Sequence, residues 1–262
     1  MPVDNEIYNR LSSTWWDEQG FLNILRTAAN PGRFGYFREV LLKQVGVDPA
    51  GKKALDVGCG GGLLAEEFAR LGCQVTGIDP SEPSLATARA HARQSGLDIE
   101  YRVGVGEALP FADEAFDLVY CCDVLEHVND LAQVLAEISR VSRGGGLFLY
   151  DTINQTLQSK LIAIKLLQEW KFTSVMPPKT HDWTMFIKPQ RLQELMRQQG
   201  LASQEIVGLK PAASPMAIIG SLRQHKRGEL SFAELGSRLH VQQSKDTSVS
   251  YMGYAIKSAK HA

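Results

Sequence analysis

Apolar and polar positions along the middle of the chain switch repeatedly between two periods. Lys53–Val57 is a β-like run ending in glycines, and Leu63 to Leu71 then repeats Leu64, Phe68 and Leu71 at helical spacing. Gln74 to Ile78 reads as the next strand, followed by a helix from about Ser81 to Gln94 with Ser81 as its N-cap. Ile99 to Val103 alternates as a strand, and Phe116 to Cys121 is an apolar one apart from Asp117. Leu131 to Val141 has the helical period, and Gly144, Gly145 and Gly146 open a strand at Leu147–Asp151. Strand–helix–strand alternation at this spacing predicts right-handed βαβ units and a parallel sheet covered by helices on both faces. The predicted class is α/β.

Two regions fall outside this rhythm. Residues 1–45 read as a helical cap carrying Tyr8, Trp15, Trp16, Phe34, Tyr36 and Phe37, and residues 155–187 as a lid insertion broken by Pro177 and Pro178. Such appendages on an open α/β sheet sit over the carboxyl ends of the strands, where ligands bind. Beyond the core at 46–154 and the lid, the pattern predicts a helix near Pro189 to Gln199 and strands near Gln204 to Leu209 and Val249 to Ile256. That gives seven strands in a single domain over 1–262, with an extra insertion at about 211–248 in which only a helix at Ser231 to Leu239 is legible. Composition agrees with a globular protein: 262 residues, 44% hydrophobic and 22% charged. With 28 basic against 29 acidic residues, whole-molecule attraction to nucleic acid is not expected. Cys59, Cys73, Cys121 and Cys122 lack C-x-x-C spacing, which argues against a disulfide framework or zinc site. The amino end has no basic region followed by an apolar one, and no run reaches the roughly 18 apolar residues of a bilayer span. The expectation is a cytoplasmic chain.

The glycine turn narrows the chemistry. Gly58, Gly60 and Gly62 are spaced G-x-G-x-G between the first strand and first helix, with Asp56 two residues ahead. A dinucleotide fingerprint would need a glycine or alanine where Leu63 stands. The pattern instead resembles that of S-adenosylmethionine-dependent methyltransferases, whose cofactor carries a sulfonium, an ammonium and a carboxylate but no pyrophosphate. Asp79 ends the second strand about 20 residues after the glycines, the position that binds ribose hydroxyls in nucleotide-binding sheets. The plainer alternative is a tight turn followed by a solvated acid. Many class I methyltransferases carry an Asp where Val105 stands here, so the adenine edge would rely on backbone near Val105 and Gly106, with Glu107 either functional or solvated.

Beyond the turn, five stretches resemble one family. Trp15–Asp17, Asn30–Tyr36, Leu55–Gly62, Leu125–Val128 and Thr180–Asp182 with Phe186–Pro189 are similar to the ubiquinone-biosynthesis O-methyltransferases, and Tyr251–Tyr254 also fits. The resemblance implies a Rossmann-like class I fold that methylates catechol or phenol hydroxyls on polyprenylated rings. Residue by residue it implies cofactor contacts at Arg33, Gly58, Asp79 and Cys122, which join Asp56 and Gly60 from the glycine turn. Arg33 has its own rationale, since a guanidinium pairs bidentately with a carboxylate. The eukaryotic branch uses acid, acid and His after the fourth strand as a divalent-metal site, here Asp123, Glu126 and His127. Such a site would hold magnesium or a similar ion and lower the pKa of a bound hydroxyl. Without metal, His127 with Glu126 is the candidate catalytic pair, a general base being suited to neutral pH. The structural alternative has Glu126 capping the next helix and His127 packing under the sheet edge. His181 and Asp182 read as pocket-shaping, and His91, His225, His240 and His261 as surface residues.

The lid carries one further signal. Between Lys160 and Phe172 apolar residues recur at helical spacing, flanked by Lys160, Lys165 and Lys171 and ending in Trp170 and Phe172. Together with the resemblance to enzymes of lipid-tailed substrates, this predicts peripheral membrane contact through 157–176 at the inner face; the alternative is a core-facing lid. The insertion at 211–248 departs from the family, and its basic cluster Arg223–Arg227 reads as a solvated loop. Three functions therefore stand: O-methylation of an aromatic small molecule, O- or N-methylation in other metabolism, and a non-catalytic cofactor- or lipid-binding homologue.

Overall fold

The computed structural model describes residues 6–259, so residues 1–5 of the expected cap and His261 lie outside the described residues. Strands β1 (Lys53–Val57), β2 (Gln74–Asp79), β3 (Glu100–Val103), β4 (Phe116–Cys121), β5 (Ser142–Ile153), β6 (Leu201–Pro211), β7 (Val241–Ser244) and β8 (Ser250–Lys257) form one sheet. Their order is β3-β2-β1-β4-β5-β8-β6-β7, with the first five parallel and the last three antiparallel. The sheet thus has eight strands, not the expected seven. The additional β7 is a short edge with exposed glutamines, so no apolar alternation announces it.

Among the described residues the helices are α1 (Glu6–Arg10), α2 (Asn30–Glu39), α3 (Leu63–Arg70), α4 (Glu82–Gln94), α5 (Leu131–Val141), α6 (Leu157–Ser159), α7 (Pro189–Gln198), α8 (Pro215–Lys226) and α9 (Phe232–Leu239). Wide helical turns, Leu25–Ala29 and Val40–Val45, extend α2 at both ends, and Lys160–Glu169 continues α6. Ser81 caps α4 as expected by accepting from the Ser84 N–H, and Ser231 with Glu234 forms a reciprocal capping box on α9. Along β4, Leu118 and Tyr120 face one layer with Phe37, Phe68 and Leu85; Val119 and Cys121 face the other with Ile138, Phe148 and Leu192. That two-sided burial is what makes Leu118–Cys121 continuously apolar.

Two readings need correction. Gly144–Gly146 do not precede β5 but lie inside it, where the register to β4 jumps between Phe116 and Leu118. Gly145 takes φ +76° in this bulge, and Arg143 reaches Asp117 at 2.6 Å. The basic cluster is likewise no loop: Arg223 to Lys226 form the last turn of α8. The 211–248 insertion braces the cap, because a Cβ on Gly236 of α9 would lie 2.0 Å from Thr27 Oγ1. Phe232 also meets Phe21 edge to face at 5.7 Å between ring centroids.

Candidate functional site

Strand order reverses between β1 and β4, and the crevice beyond their carboxyl ends is where an open α/β sheet binds ligand. A cavity of about 350 Å³ lies there. All six residues expected at a cofactor line it: Arg33, Asp56, Gly58, Gly60, Asp79 and Cys122. The cap contributes Tyr8, Asn9 and Trp15, so the N-terminal segment forms part of the wall.

The turn after β1 needs its glycines for two separate reasons. Gly58 has φ +77°, and a Cβ there would lie 2.3 Å from Val124 Cγ2. Gly60 has φ +51°, and its missing Cβ leaves space for the Trp15 ring, which would otherwise be 2.5 Å away. Asp79 fixes the same turn from β2. Its Oδ2 accepts from the Gly60 N–H at 2.9 Å and its Oδ1 from the Ser81 N–H at 2.8 Å. Burial raises the Asp79 pKa, and those two N–H groups oppose the shift. Asp56 is raised well above its ordinary value by burial and then by the nearby Asp79.

Arg33 projects from α2 into this crevice, 3% exposed. Its Nη2 meets Asp123 at 2.5 Å, its Nη1 donates to Asn30 Oδ1 at 3.1 Å, and its Nε faces Asp151. Burial disfavours the cation, but Asp123 and Asp151 outweigh it and raise the Arg33 pKa. Burial also pushes Asp151 up to about 7 against the pull of Arg33. The expected cofactor-carboxylate ligand is therefore already tied to two acids of the chain, and a third carboxylate would have to share it. Sequence reading missed Asp151; an acid ending the otherwise apolar run Leu147–Tyr150 was the available signal.

Glu126, His127 and His181 form a second group beside the cavity, each offering an atom within 4.8 Å of the others. Glu126 does not cap the following helix, since Asp130 does so by accepting from the Gln133 N–H at 3.0 Å. Instead Thr152 Oγ1 donates to Glu126 Oε2 at 2.7 Å, and Oε1 is buried without a partner. Burial, then the Asp123 charge, pushes Glu126 up to about 8. Burial lowers His127 to about 4 and His181 to about 3, so both rings are neutral at pH 7. The expected set for magnesium is not assembled, because His181 rather than Asp123 stands with Glu126 and His127. Asp123, at φ +55°, turns its carboxylate onto Arg33, and one carboxylate with two imidazoles is poor chemistry for magnesium, which takes oxygen ligands.

Other expectations are redistributed. Glu107 lines the cavity, but its Oε1 accepts from the Asn129 N–H at 3.1 Å, making it a loop strut. His91 is not an idle surface residue: it stacks on Trp16 at 3.4 Å between ring centroids and reaches Glu66 at 2.6 Å. His225 bonds the Leu230 carbonyl at 2.8 Å, and His240 ends α9 in the left-handed region. In the lid, Ile164 faces inward with Ala163 and Phe186.

Comparison with known proteins agrees with this geometry. A family model described as a methyltransferase domain matches residues 55–150. A ubiquinone biosynthesis O-methyltransferase of a Methylobacterium strain is 37% identical over 211 residues, covering 77% of this chain and 82% of that protein. The protein of the same description from Ruegeria pomeroyi is 39% identical over 209 residues, covering 76% and 82%. In fold, the chain is similar to a SAM dependent methyltransferase from Aquifex aeolicus, with a TM-score of 0.56 at 14% identity over 88% of this chain and 91% of that one.

Proposed function

Because the chain belongs to the ubiquinone biosynthesis O-methyltransferase family, a group of S-adenosylmethionine-dependent enzymes, we propose that its acceptor is a catechol or phenol hydroxyl on a polyprenylated ring. The observation that carries this is a buried, partnerless carboxylate oxygen, Glu126 Oε1, grouped with His127, which lines the same cavity as the six expected cofactor residues.

Arg33, Asp56, Gly58, Gly60, Asp79 and Cys122 would hold S-adenosylmethionine, with Asp79 taking the ribose and the bare glycine backbone letting it lie close. Bound there, the cofactor supplies an activated methyl on sulfur, so that an aryl oxygen gains a C–O bond while the C–S pair returns to a neutral thioether. The protein's part is alignment, water exclusion and removal of one proton. Glu126 is the better base of the expected pair. Raised to about 8, its carboxylate approaches the pKa of about 10 of a phenol. His127, lowered to about 4, acts as a neutral hydrogen-bonding ring that orients the hydroxyl. No step here passes through a metal.

The lid supplies the route for a lipid-tailed acceptor. Leu157, Leu161, Trp170 and Phe172 are 81%, 52%, 50% and 74% exposed, apolar area on the lid that suits an interfacial surface. Charge contributes less than the sequence indicates. Lys160 Nζ lies 4.7 Å over the Trp183 ring and Lys165 pairs with Glu169 at 2.5 Å. No helix among the described residues is long and apolar enough to cross a membrane. The test is methyl transfer to a prenylated catechol and to the same ring without its tail, each with and without anionic vesicles. Preference for the tailed acceptor, enhanced by vesicles, supports the reading. Equal or better turnover of the tailless ring points to a soluble acceptor.

A further inference from the structure

We propose that His181 is a further acceptor-binding residue, and that Gln168 on the lid is the residue that positions it. The proposal rests on the aryl-hydroxyl acceptor argued above.

His181 lies far from His127 in sequence, yet their ring centroids are 5.2 Å apart and inclined by 41°. Its Nδ1 is buried with no hydrogen-bond partner, as is Glu126 Oε1. Two partnerless polar atoms next to His127, which lines the cavity, are costly unless a ligand satisfies them, because desolvation is not repaid within the protein. A neutral imidazole presents one donor and one acceptor nitrogen. It can therefore hold a hydroxyl by its oxygen or its proton and set the direction of the attacking lone pair. Displacement at a methyl carbon demands in-line geometry, so orienting the oxygen is where a non-titrating ring acts on rate.

What holds His181 there is the lid. The Gln168 side chain spans its main chain, accepting from the His181 N–H at 2.8 Å through Oε1 and donating to the His181 carbonyl at 3.2 Å through Nε2. Gln168 belongs to the turns Lys160–Glu169, whose Ala163 and Ile164 pack inward on Phe186. A shift of these turns therefore moves the His181 ring relative to Glu126 and His127. The surface that meets lipid and the ring that meets the acceptor are joined through one amide.

The test is a double-mutant cycle on steady-state transfer to a catechol at saturating cofactor, with S-adenosylhomocysteine affinity measured calorimetrically on each variant. His181→Ala should lower kcat about 100-fold, the scale of misplaced reacting groups, and Gln168→Leu about tenfold. Neither should change cofactor affinity more than about twofold, which also shows that the variants fold. Gln168→Leu should have no further effect in the His181→Ala background, and Gln168→Glu, which keeps the acceptor for the His181 N–H, should recover part of the loss. Independent, multiplying effects of the two changes would overturn the positioning role, and an unchanged kcat for His181→Ala would overturn the acceptor-binding role. Wild-type protein that binds cofactor but methylates no catechol would overturn the functional reading beneath both.

Discussion

Replacing Asp79 by alanine removes two oxygens, each of which holds one backbone N–H of the ligand-binding turns. Oδ2 takes Gly60 at 2.9 Å and Oδ1 takes Ser81 at 2.8 Å, leaving a remaining lone-pair direction on each oxygen for a ribose hydroxyl. Hydrogen bonds to a charged acceptor contribute about 1.5–3 kcal/mol each. Loss of even one on the ribose weakens binding by about 10- to 150-fold. The orphaned Gly60 and Ser81 N–H groups add a separate cost to the fold, about 1–3 kcal/mol each if they find no water. Titration calorimetry with S-adenosylhomocysteine reads the first effect and thermal unfolding the second. The expected result is a dissociation constant raised at least tenfold together with a lowered Tm. A lowered Tm with an unchanged dissociation constant would refute the ribose assignment and leave Asp79 as a strut of the glycine turn.

Three further outcomes follow from the same geometry. Glu126→Gln should remove the rise in kcat as pH passes about 8, and it should also change stability. A carboxyl raised from 4.5 to about 8 on folding costs stability as pH climbs between those values, so the Gln variant should lose less Tm across that window when followed by calorimetry. Gly60→Ala forces a side chain into φ +51° and onto the Trp15 ring, and should weaken cofactor binding and lower Tm by several degrees, on a cost of about 1–3 kcal/mol. Leu161→Ser with Phe172→Ser should abolish sedimentation with anionic vesicles while a Lys160, Lys165 and Lys171 to Gln variant retains much of it, because two of those lysines already have partners. The reverse ranking would show that charge, not apolar area, drives docking.

The parallel half of the sheet was legible because each of its elements buries a whole face, which leaves a period in the sequence. β4 reads as an apolar run since both its sides are covered, and Ser81 and Ser231 mark helix starts with their own side chains. The glycine turn was legible for a similar local reason: backbone close approach admits no other residue. What failed depends on partners remote in sequence. β7 is a polar edge fixed by β6, and the glycines of β5 make a bulge that only the register to β4 reveals. Asp123 looked like a metal ligand beside Glu126, but its chain neighbourhood says nothing of Arg33, 90 residues away, which takes its carboxylate. His181 reads as pocket-shaping, but the Gln168 contact that holds it is not visible in the sequence, and its neighbour Asp182 caps the next turn.

The most direct measurement is single-turnover transfer from methyl-labelled S-adenosylmethionine to a prenylated catechol, with the product identified by mass spectrometry and the Glu126→Gln variant run beside the wild type. The expected result is a labelled aryl methyl ether formed in one equivalent by the wild-type protein, and formation slowed by about two orders of magnitude in the variant at neutral pH, on the scale of general-base catalysis. Tight cofactor binding with no labelled ether, or transfer at the wild-type rate without the Glu126 carboxylate, would contradict the proposed site.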